Sequence, residues 1–460
     1  MCRRNFVIHQ YKNNGYNIVM DVCSGSVHVV DEVTYDAIAL YENEEREVVA
    51  VKLKELYPNL TDEEIKEVLD EIDELREQEL LYTEDVYKDY VIDVKKRTTI
   101  VKALCLHIAH DCNLACKYCF ASEGEYHGDR ALMSFEVGKK ALDYLLENSG
   151  SRRNLEVDFF GGEPLMNFKV VKDLVAYGRS KEEEYNKKFR FTLTTNGVLL
   201  NDNVIDFCNK EISNVVLSLD GRKEVNDKMR PFPNGKGSYD IIVPKFLNFF
   251  KKRGEKDYYI RGTFTHNNLD FASDVLHYAD LGFDKMSMEP VVAPPEAPYA
   301  IREEDIPKIK EEYDKLAVEF IKRKKEGRGF VFFHYMIDLT QGPCVAKRLS
   351  GCGSGTEYLA VTPWGDFYPC HQFVGIPEFL MGNVDEGITN TKVQDEFKQC
   401  NVYAKEKCKD CFARFYCSGG CAANSYQFHG CITDAYDIGC ELQKKRIECA
   451  IALKAIDLNK

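Results

Sequence analysis

The 460-residue chain has no apolar run long enough to cross a bilayer, a task that takes about 20 consecutive apolar residues, so no membrane partner is expected. It also lacks an excess of positive charge: 61 Lys and Arg stand against 75 Asp and Glu, a formal net charge of −14. Polyanions need neutralising by Lys and Arg, so no nucleic-acid partner is expected either, and short basic runs such as Lys322–Lys325 read as solvated faces. The start, MCRRNFVIHQ, has no apolar segment of the secretory kind. Hydrophobic residues make up 44% and charged residues 30%, ordinary values for a soluble globular chain of two or three domains. What is plentiful is cysteine, with 18 residues. Without an export signal, so many thiols argue against a disulfide framework and for metal ligation in a reducing cytoplasm.

The chain is organised around His110–Phe120, HDCNLACKYCF, in which Cys112, Cys116 and Cys119 form a C-x3-C-x2-C triplet. Three thiolates on one short loop suit three irons of a 4Fe–4S cube. Ordinary cubes take four cysteines, so the fourth iron is left open to another ligand. The competing readings are a zinc site or three buried thiols, although zinc sites usually bring cysteines as spaced pairs. The apolar run Ile100–Ile108 ahead of the loop reads as a buried strand. The triplet then sits at a strand's carboxyl end, where α/β barrels keep their chemistry.

Residues 98–330 alternate strands, near 100–109, 154–160, 189–195, 213–219, 257–265 and 284–290, with helices near 133–148, 167–186, 201–209, 238–253, 270–281 and 303–326. Such alternation implies parallel strands with crossover helices. Polar signals fall at successive strand ends: Gly161-Gly162-Glu163-Pro164, then Thr194-Thr195-Asn196-Gly197, then Ser218-Leu219-Asp220-Gly221, with Met288-Glu289-Pro290 at the sixth. Glycines let a backbone approach a ligand, and Glu163 can accept hydrogen bonds from an ammonium group. Arg230, in NDKMRPF, can pair bidentately with a carboxylate. His107 and His110 read as satisfied polar groups beside the strand end, and Met133 and Met166 as core.

Residues 1–90 read as a separate small unit, for which a structural cap on the barrel is the competing reading, with strands at Phe6–Tyr11, Tyr16–Val22 and Val27–Val30 and helices near 34–43, 47–57 and 61–79. Thr61 is the expected cap of the third helix, whose apolar stripe is Ile65, Val68, Leu69, Ile72 and Leu75. Tyr82–Lys96 reads as a linker. In the last third, residues 331–460, the spacing is Cys352-x12-Gly365-x4-Cys370, then Cys408-x2-Cys411-x5-Cys417-x3-Cys421, then Cys440. Structural zinc is the competing reading of this set.

Together these features resemble the radical SAM superfamily with a SPASM extension. The resemblance implies an α/β fold: a partial (β/α)6 barrel, an amino-terminal winged-helix-like RiPP recognition element that holds a leader peptide by strand addition, and a carboxyl-terminal iron–sulfur domain. It implies S-adenosylmethionine (SAM) on the open iron of the Cys112/Cys116/Cys119 cluster. The nucleotide would be held by Tyr118, Gly161, Gly162, Glu163, Pro164, Thr195, Asn196, Ser218, Asp220, Arg230, Met288 and Glu289. Here Glu163 would face the SAM amino group, Arg230 its carboxylate, the TTNG and SLDG segments its ribose, and Met288 and Glu289 its adenine. It implies two auxiliary clusters, three 4Fe–4S clusters in all. Cys352, Cys370 and Cys421 would hold the first auxiliary cluster, with Cys344 completing it or an iron left open. Cys408, Cys411, Cys417 and Cys440 would hold the second, Cys431 competing for the last place.

NGYNIVMDVCSGSVHVVDEVTYD and GPCVAKRLSGCGSGTEYLAVTPWGDFYPCHQF narrow the resemblance to the thioether-forming SCIFF maturases. These imply a cysteine-rich precursor peptide bound through its leader and a donor such as ferredoxin or flavodoxin. The implied reaction is hydrogen abstraction by a 5′-deoxyadenosyl radical, followed by bonding of a cysteine, held as thiolate by an auxiliary cluster, to the carbon radical, on threonine, with the surplus electron leaving through that cluster. A sulfatase-maturase-like or other SPASM peptide-modifying enzyme remains open within the same chemistry. A non-catalytic, zinc-stabilised peptide-binding scaffold remains open outside it.

Overall fold

The computed structural model describes residues 7–89, 99–126, 128–339 and 345–458. Cys2, Cys344, Phe6 and the end of the expected linker at Lys96 lie outside the described residues.

The amino-terminal unit is a three-stranded antiparallel sheet, β1 (Ile8–Asn13), β2 (Tyr16–Asp21) and β3 (Val27–Val30), in the order β1-β2-β3. The β1–β2 turn is made by Asn14 and Gly15, both at positive φ, as a two-residue Asn-Gly hairpin requires. Three helices follow: α1 (Glu32–Tyr41), α2 (Arg46–Leu56) and α3 (Asp62–Glu77). Thr61 caps α3 in a full capping box with Glu64. The apolar stripe of α3 places Ile65, Leu69 and Ile72 against Val19, Ala37, Ile38, Val49 and Leu53. Every turn of that helix therefore points one side at a single small core. The opposite face of the sheet carries Tyr11, Ile18, Met20 and Val22 into a second core, shared with Phe415, Ile447 and Ile451 from the carboxyl-terminal third.

The barrel strands are β4 (Ala103–His110), β6 (Asn154–Gly161), β7 (Lys188–Thr195), β8 (Asn214–Ser218), β9 (Asp257–Phe264) and β10 (Lys285–Pro290), paired in parallel in that spatial order. A short β5 (Ala131–Leu132) pairs antiparallel with β4. All eight residues of β4 are buried, the pattern of a strand covered on both faces. The crossover helices are α4 (Phe135–Asn148), α5 (Phe168–Tyr185), α6 (Asp202–Glu211), α8 (Tyr239–Arg253), α9 (Phe271–Asp280) and α10 (Ile306–Lys325). A seven-residue helix, α7 (Lys223–Met229), leads into Arg230 and was not foreseen in the sequence.

The carboxyl-terminal third joins this sheet at both edges. β11 (Val331–Phe332) pairs in parallel with β10, and β12 (Tyr358–Val361) pairs in parallel with β4. β13 (Asp366–Tyr368), β14 (Gly382–Asn383) and β15 (Gly387–Ile388) then extend it antiparallel. Helices α11 (Val345–Ser350), α12 (Thr391–Gln399), α13 (Arg414–Cys417) and α14 (Ala422–His429) surround the cysteines. The final α15 (Asp437–Leu458) packs along α10 and touches β1 and β3.

Candidate active site

The ladder between β4 and β6 continues past the strands into the cysteine loop. Gly162 N–H donates to Ala109 O at 2.7 Å and Glu163 N–H to Asp111 O at 2.9 Å. A side chain on Gly161 would lie 2.3 Å from Ala109 O, and one on Gly162 would lie 2.1 Å from Asp111 O. These glycines therefore admit the protein's own cluster loop, a closer constraint than the approach of a ligand. From the other side the loop is docked on the segment before Phe232: Ala115 N–H donates to Pro231 O and Lys117 N–H to Met229 O, each at 2.9 Å.

A cavity of about 550 Å³ opens above this loop. Its walls include Cys112, Cys116, Tyr118, Cys119, Gly161, Gly162, Glu163, Pro164, Thr195, Asn196, Ser218, Arg230 and Glu289. Of the residues expected around the nucleotide, only Asp220 and Met288 do not line it. Met288 is wholly buried, its sulfur beneath Gly262. Asp220 is also fully buried and acts from behind, accepting Tyr118 O–H at 2.6 Å and Thr263 N–H at 3.0 Å.

Glu163 is 1% exposed and already accepts three protein donors: Thr195 Oγ1 at 2.8 Å, Asn196 N at 2.7 Å and Leu165 N at 3.0 Å. It thereby ties the ends of β6 and β7 together, with lone-pair capacity left on a carboxylate that has about four such sites. Asn196 Nδ2 reaches Asn113 Oδ1 at 2.8 Å and lies 3.6 Å from Cys112 Sγ. Arg230 is 8% exposed and donates through Nη1 to Tyr118 O–H at 2.8 Å, with Asp220 at 4.0 Å. Its Nε has no protein partner among the described residues. Arg230 lines the cavity, and a guanidinium there suits a carboxylate such as that of SAM.

Burial, then the Glu163 carboxylate and the neighbouring thiols, push the Cys112 thiol up to about 12. Burial also raises Cys116, to about 11, against the pull of Arg230. Buried thiols of this kind become thiolates by binding metal, releasing protons as they do. Three soft donors on one loop fit an iron–sulfur cube with one iron lacking a protein ligand.

The same cavity is also lined by Cys417, Cys421 and Cys440. The carboxyl-terminal cysteines fall into two groups joined through Cys400, which neighbours Cys352, Cys421 and Cys431 on one side and Cys408 on the other. Cys370 feels Cys421 and Cys352. Cys408 feels Cys440 and Cys411, while Cys417 feels Cys408 and Cys411. Cys440 is thus the residue facing this second set, and Cys431 is among the neighbours of Cys400. Among the described residues no three His, Cys, Asp or Glu side chains close on one point as ligands of a single ion do. A cube spreads its ligands over different irons.

Several cavity residues were not foreseen in the sequence. Arg261 and Thr263 line it from β9, His371 from beside Cys370, and Arg446 from α15. For Arg261 the signal was available in the alternation of DYYIRGTF, which sends a charged residue to the sheet face opposite buried Tyr258, Ile260 and Phe264. Glu289 accepts the Ser287 hydroxyl at 2.9 Å and lies 2.9 Å from His334 Nε2. Burial alone would raise its carboxyl, but His334, Arg446 and Arg261 hold it well below the usual range. His107 and His110 meet at 2.9 Å, yet His107 Nε2 and His110 Nδ1 have no protein partner among the described residues. The expectation of satisfied polar groups thus holds for one contact of each ring. Burial lowers His110 to about 4, so the ring is neutral.

The fold is a parallel barrel whose three-cysteine loop shares one cavity with further cysteines. A family model described as a 4Fe-4S single cluster domain matches residues 102–243. The cysteine-type anaerobic sulfatase-maturating enzyme of Clostridium novyi is 27% identical over 333 residues, covering 68% of this chain and 86% of that one. The serine-type enzyme of Bacteroides thetaiotaomicron is 25% identical over 355 residues, covering 68% and 81%. Among solved structures, anSMEcpe with bound AdoMet has a TM-score of 0.66 at 21% identity, covering 78% of this chain and 96% of that chain. Streptococcus suis SuiB bound to S-adenosylmethionine has a TM-score of 0.53 at 14% identity, covering 95% and 98%. The chain is thus similar in sequence to anaerobic sulfatase-maturating enzymes and has the fold of anSMEcpe and SuiB. Because the SuiB match leaves out only 5% of the chain, it takes in most of the amino-terminal unit.

Proposed function

We propose that this chain is a radical SAM peptide maturase that forms thioether links, cysteine sulfur to carbon on threonine, in a cysteine-rich ribosomally made precursor. The observation that carries the reading is the shared cavity: the Cys112/Cys116/Cys119 loop and Cys417, Cys421 and Cys440 line one space of about 550 Å³. When bound, a reduced 4Fe–4S cube with SAM supplies a 5′-deoxyadenosyl radical able to take hydrogen from carbon. The chain's own residues do the rest. Arg230 would pair with the SAM carboxylate, with Tyr118 and Asp220 beside the guanidinium. Glu163 retains acceptor capacity for the amino group. Cys352, Cys370 and Cys421 would hold one auxiliary cluster, with Cys344 completing it or an iron left open, and Cys408, Cys411, Cys417 and Cys440 the other.

In this reading residues 1–90 are the leader-binding unit, 98–330 the radical barrel and 331–460 the auxiliary-cluster domain. Among the described residues β3 is an edge strand, the feature that strand addition of an extended peptide uses. The reading includes a low-potential donor such as ferredoxin or flavodoxin and a cytoplasmic setting. No helix of the described residues is long and apolar enough to cross a membrane.

The test is anaerobic reconstitution with reductant, SAM and a cysteine-rich precursor encoded beside the gene. The expected products are 5′-deoxyadenosine and a peptide lighter by two hydrogens per link. Absence of 5′-deoxyadenosine would sink the reading. The similarity to cysteine-type sulfatase-maturating enzymes favours a second reading, action on a sulfatase-derived peptide. Turnover of such a peptide, with the cysteine-rich precursor untouched, would select it.

A further inference from the structure

A buried ion pair joins the two ends of the molecule. Asp85 Oδ2 lies 3.0 Å from Arg414 Nη2, with the two side chains 3% and 1% exposed. Tyr403 O–H donates to both Asp85 oxygens, at 2.7 and 2.8 Å. Arg414 stands between Cys411 and Cys417: its N–H donates to Cys411 O at 3.2 Å, and its carbonyl accepts Ser418 N–H at 2.8 Å. Its Nη1 donates to Lys409 O at 2.8 Å, closing the Cys408–Cys411 turn from inside. Its Nη2 also lies 3.3 Å from Cys23 Sγ.

Cys23 belongs to the turn between β2 and the edge strand β3. That turn is fixed by Asp21, which accepts Cys23 N–H at 3.0 Å, Ser24 N–H at 2.8 Å and, through its other oxygen, Thr83 N–H at 2.8 Å. Thr83 is two residues from Asp85. Aromatic contacts flank the pair: His9 stacks on Phe412 at 3.5 Å between centroids, and Tyr87 meets Phe415 edge-on at 4.8 Å. A buried charge pair is weak evidence for stability, because apolar replacements often serve as well. What this pair adds is direction. A planar fork locks onto one carboxylate, one backbone carbonyl and one thiol in a fixed geometry.

We propose that Asp85 and Arg414 are positioning residues that hold the Cys408–Cys421 loop in register with the amino-terminal sheet. Formation of the cluster on Cys408, Cys411, Cys417 and Cys440 then depends on the docked recognition unit, and a peptide paired to β3 sits at a set offset from these cysteines. The proposal rests on the assignment of those four cysteines as cluster ligands. Its test does not depend on thioether chemistry.

Iron and sulfide per chain are measured in two backgrounds. In Cys112→Ala/Cys116→Ala/Cys119→Ala, only auxiliary iron remains. There Asp85→Asn is expected to remove one cube's worth, about four irons, and Asp85→Glu to restore it. In Cys408→Ala/Cys411→Ala, Asp85→Asn is expected to leave iron content and the SAM-induced spectral change as they were. Because Asp85→Asn strands a buried guanidinium, Asp85→Leu/Arg414→Met is made as well, leaving no unpaired charge. It is expected to melt near the parent and still lose the same iron. Full auxiliary iron in Asp85→Asn overturns the proposal. So does a folded double variant with full iron, since the single variant's loss would then reflect only the stranded charge.

Discussion

Arg230→Lys tests the cofactor pocket at its most specific contact. The guanidinium spends Nη1 on Tyr118 and keeps Nε free of protein partners, with Asp220 at 4.0 Å behind it. A carboxylate paired with the guanidinium would be held bidentately. Lysine keeps the positive charge beside Asp220 but offers a point donor in place of a fork. The variant therefore loses one charge-assisted hydrogen bond, worth about 1.5–3 kcal/mol. With tenfold per 1.4 kcal/mol, the Kd for SAM should rise roughly tenfold to a hundredfold. Folding should change little, because Asp220 is not left without a cation. The assay is anaerobic SAM titration of the reduced protein, followed by electron paramagnetic resonance, with iron content and thermal melting alongside. Wild-type affinity in Arg230→Lys refutes the argument. So does loss of affinity in parallel with loss of iron, which would show that Arg230 serves the loop docked on Met229 and Pro231.

Three further outcomes are expected. Gly162→Ala puts a methyl 2.1 Å from Asp111 O, so the cysteine loop must move, and iron bound by the triplet should fall sharply in a variant lacking the auxiliary ligands. Glu163→Gln turns one acceptor oxygen into a donor facing buried N–H or O–H groups, and should cost about 1–3 kcal/mol in urea unfolding. Thr61→Ala removes the capping box of α3 and should cost about 1 kcal/mol. It should be visible as faster amide exchange in that helix, with SAM cleavage in the absence of peptide unchanged.

Much of the barrel was legible because β4 is an unbroken buried run, because β6, β7 and β9 alternate buried and exposed positions, and because turn residues bound them. The cysteine loop was legible because its spacing has few uses. The boundaries that failed did so for local reasons. α7 has seven residues, too few for an apolar stripe. β11 and β12 have two and four residues, and their place beside β10 and β4 is set by long-range pairing that leaves no local pattern. Buried residues run almost unbroken from Cys449 to Ile456 in α15, because that helix is covered by α10 on one side and the amino-terminal sheet on another, so no single face shows in its sequence. The GGEP motif was located at its strand end, yet its glycines meet the backbone of Ala109 and Asp111, a neighbour brought close only by the β4–β6 pairing. Arg261, His371 and Arg446 come from three separate segments and converge only in the fold.

The central claim is that the cluster on Cys112, Cys116 and Cys119 has an iron open to SAM. The most direct measurement is the electron paramagnetic resonance spectrum of the reduced protein, carrying only the triplet cluster, with and without SAM. The account predicts a 4Fe–4S signal that shifts on addition of SAM and stops shifting at one equivalent per chain. A cluster signal that is the same with and without saturating SAM would contradict it.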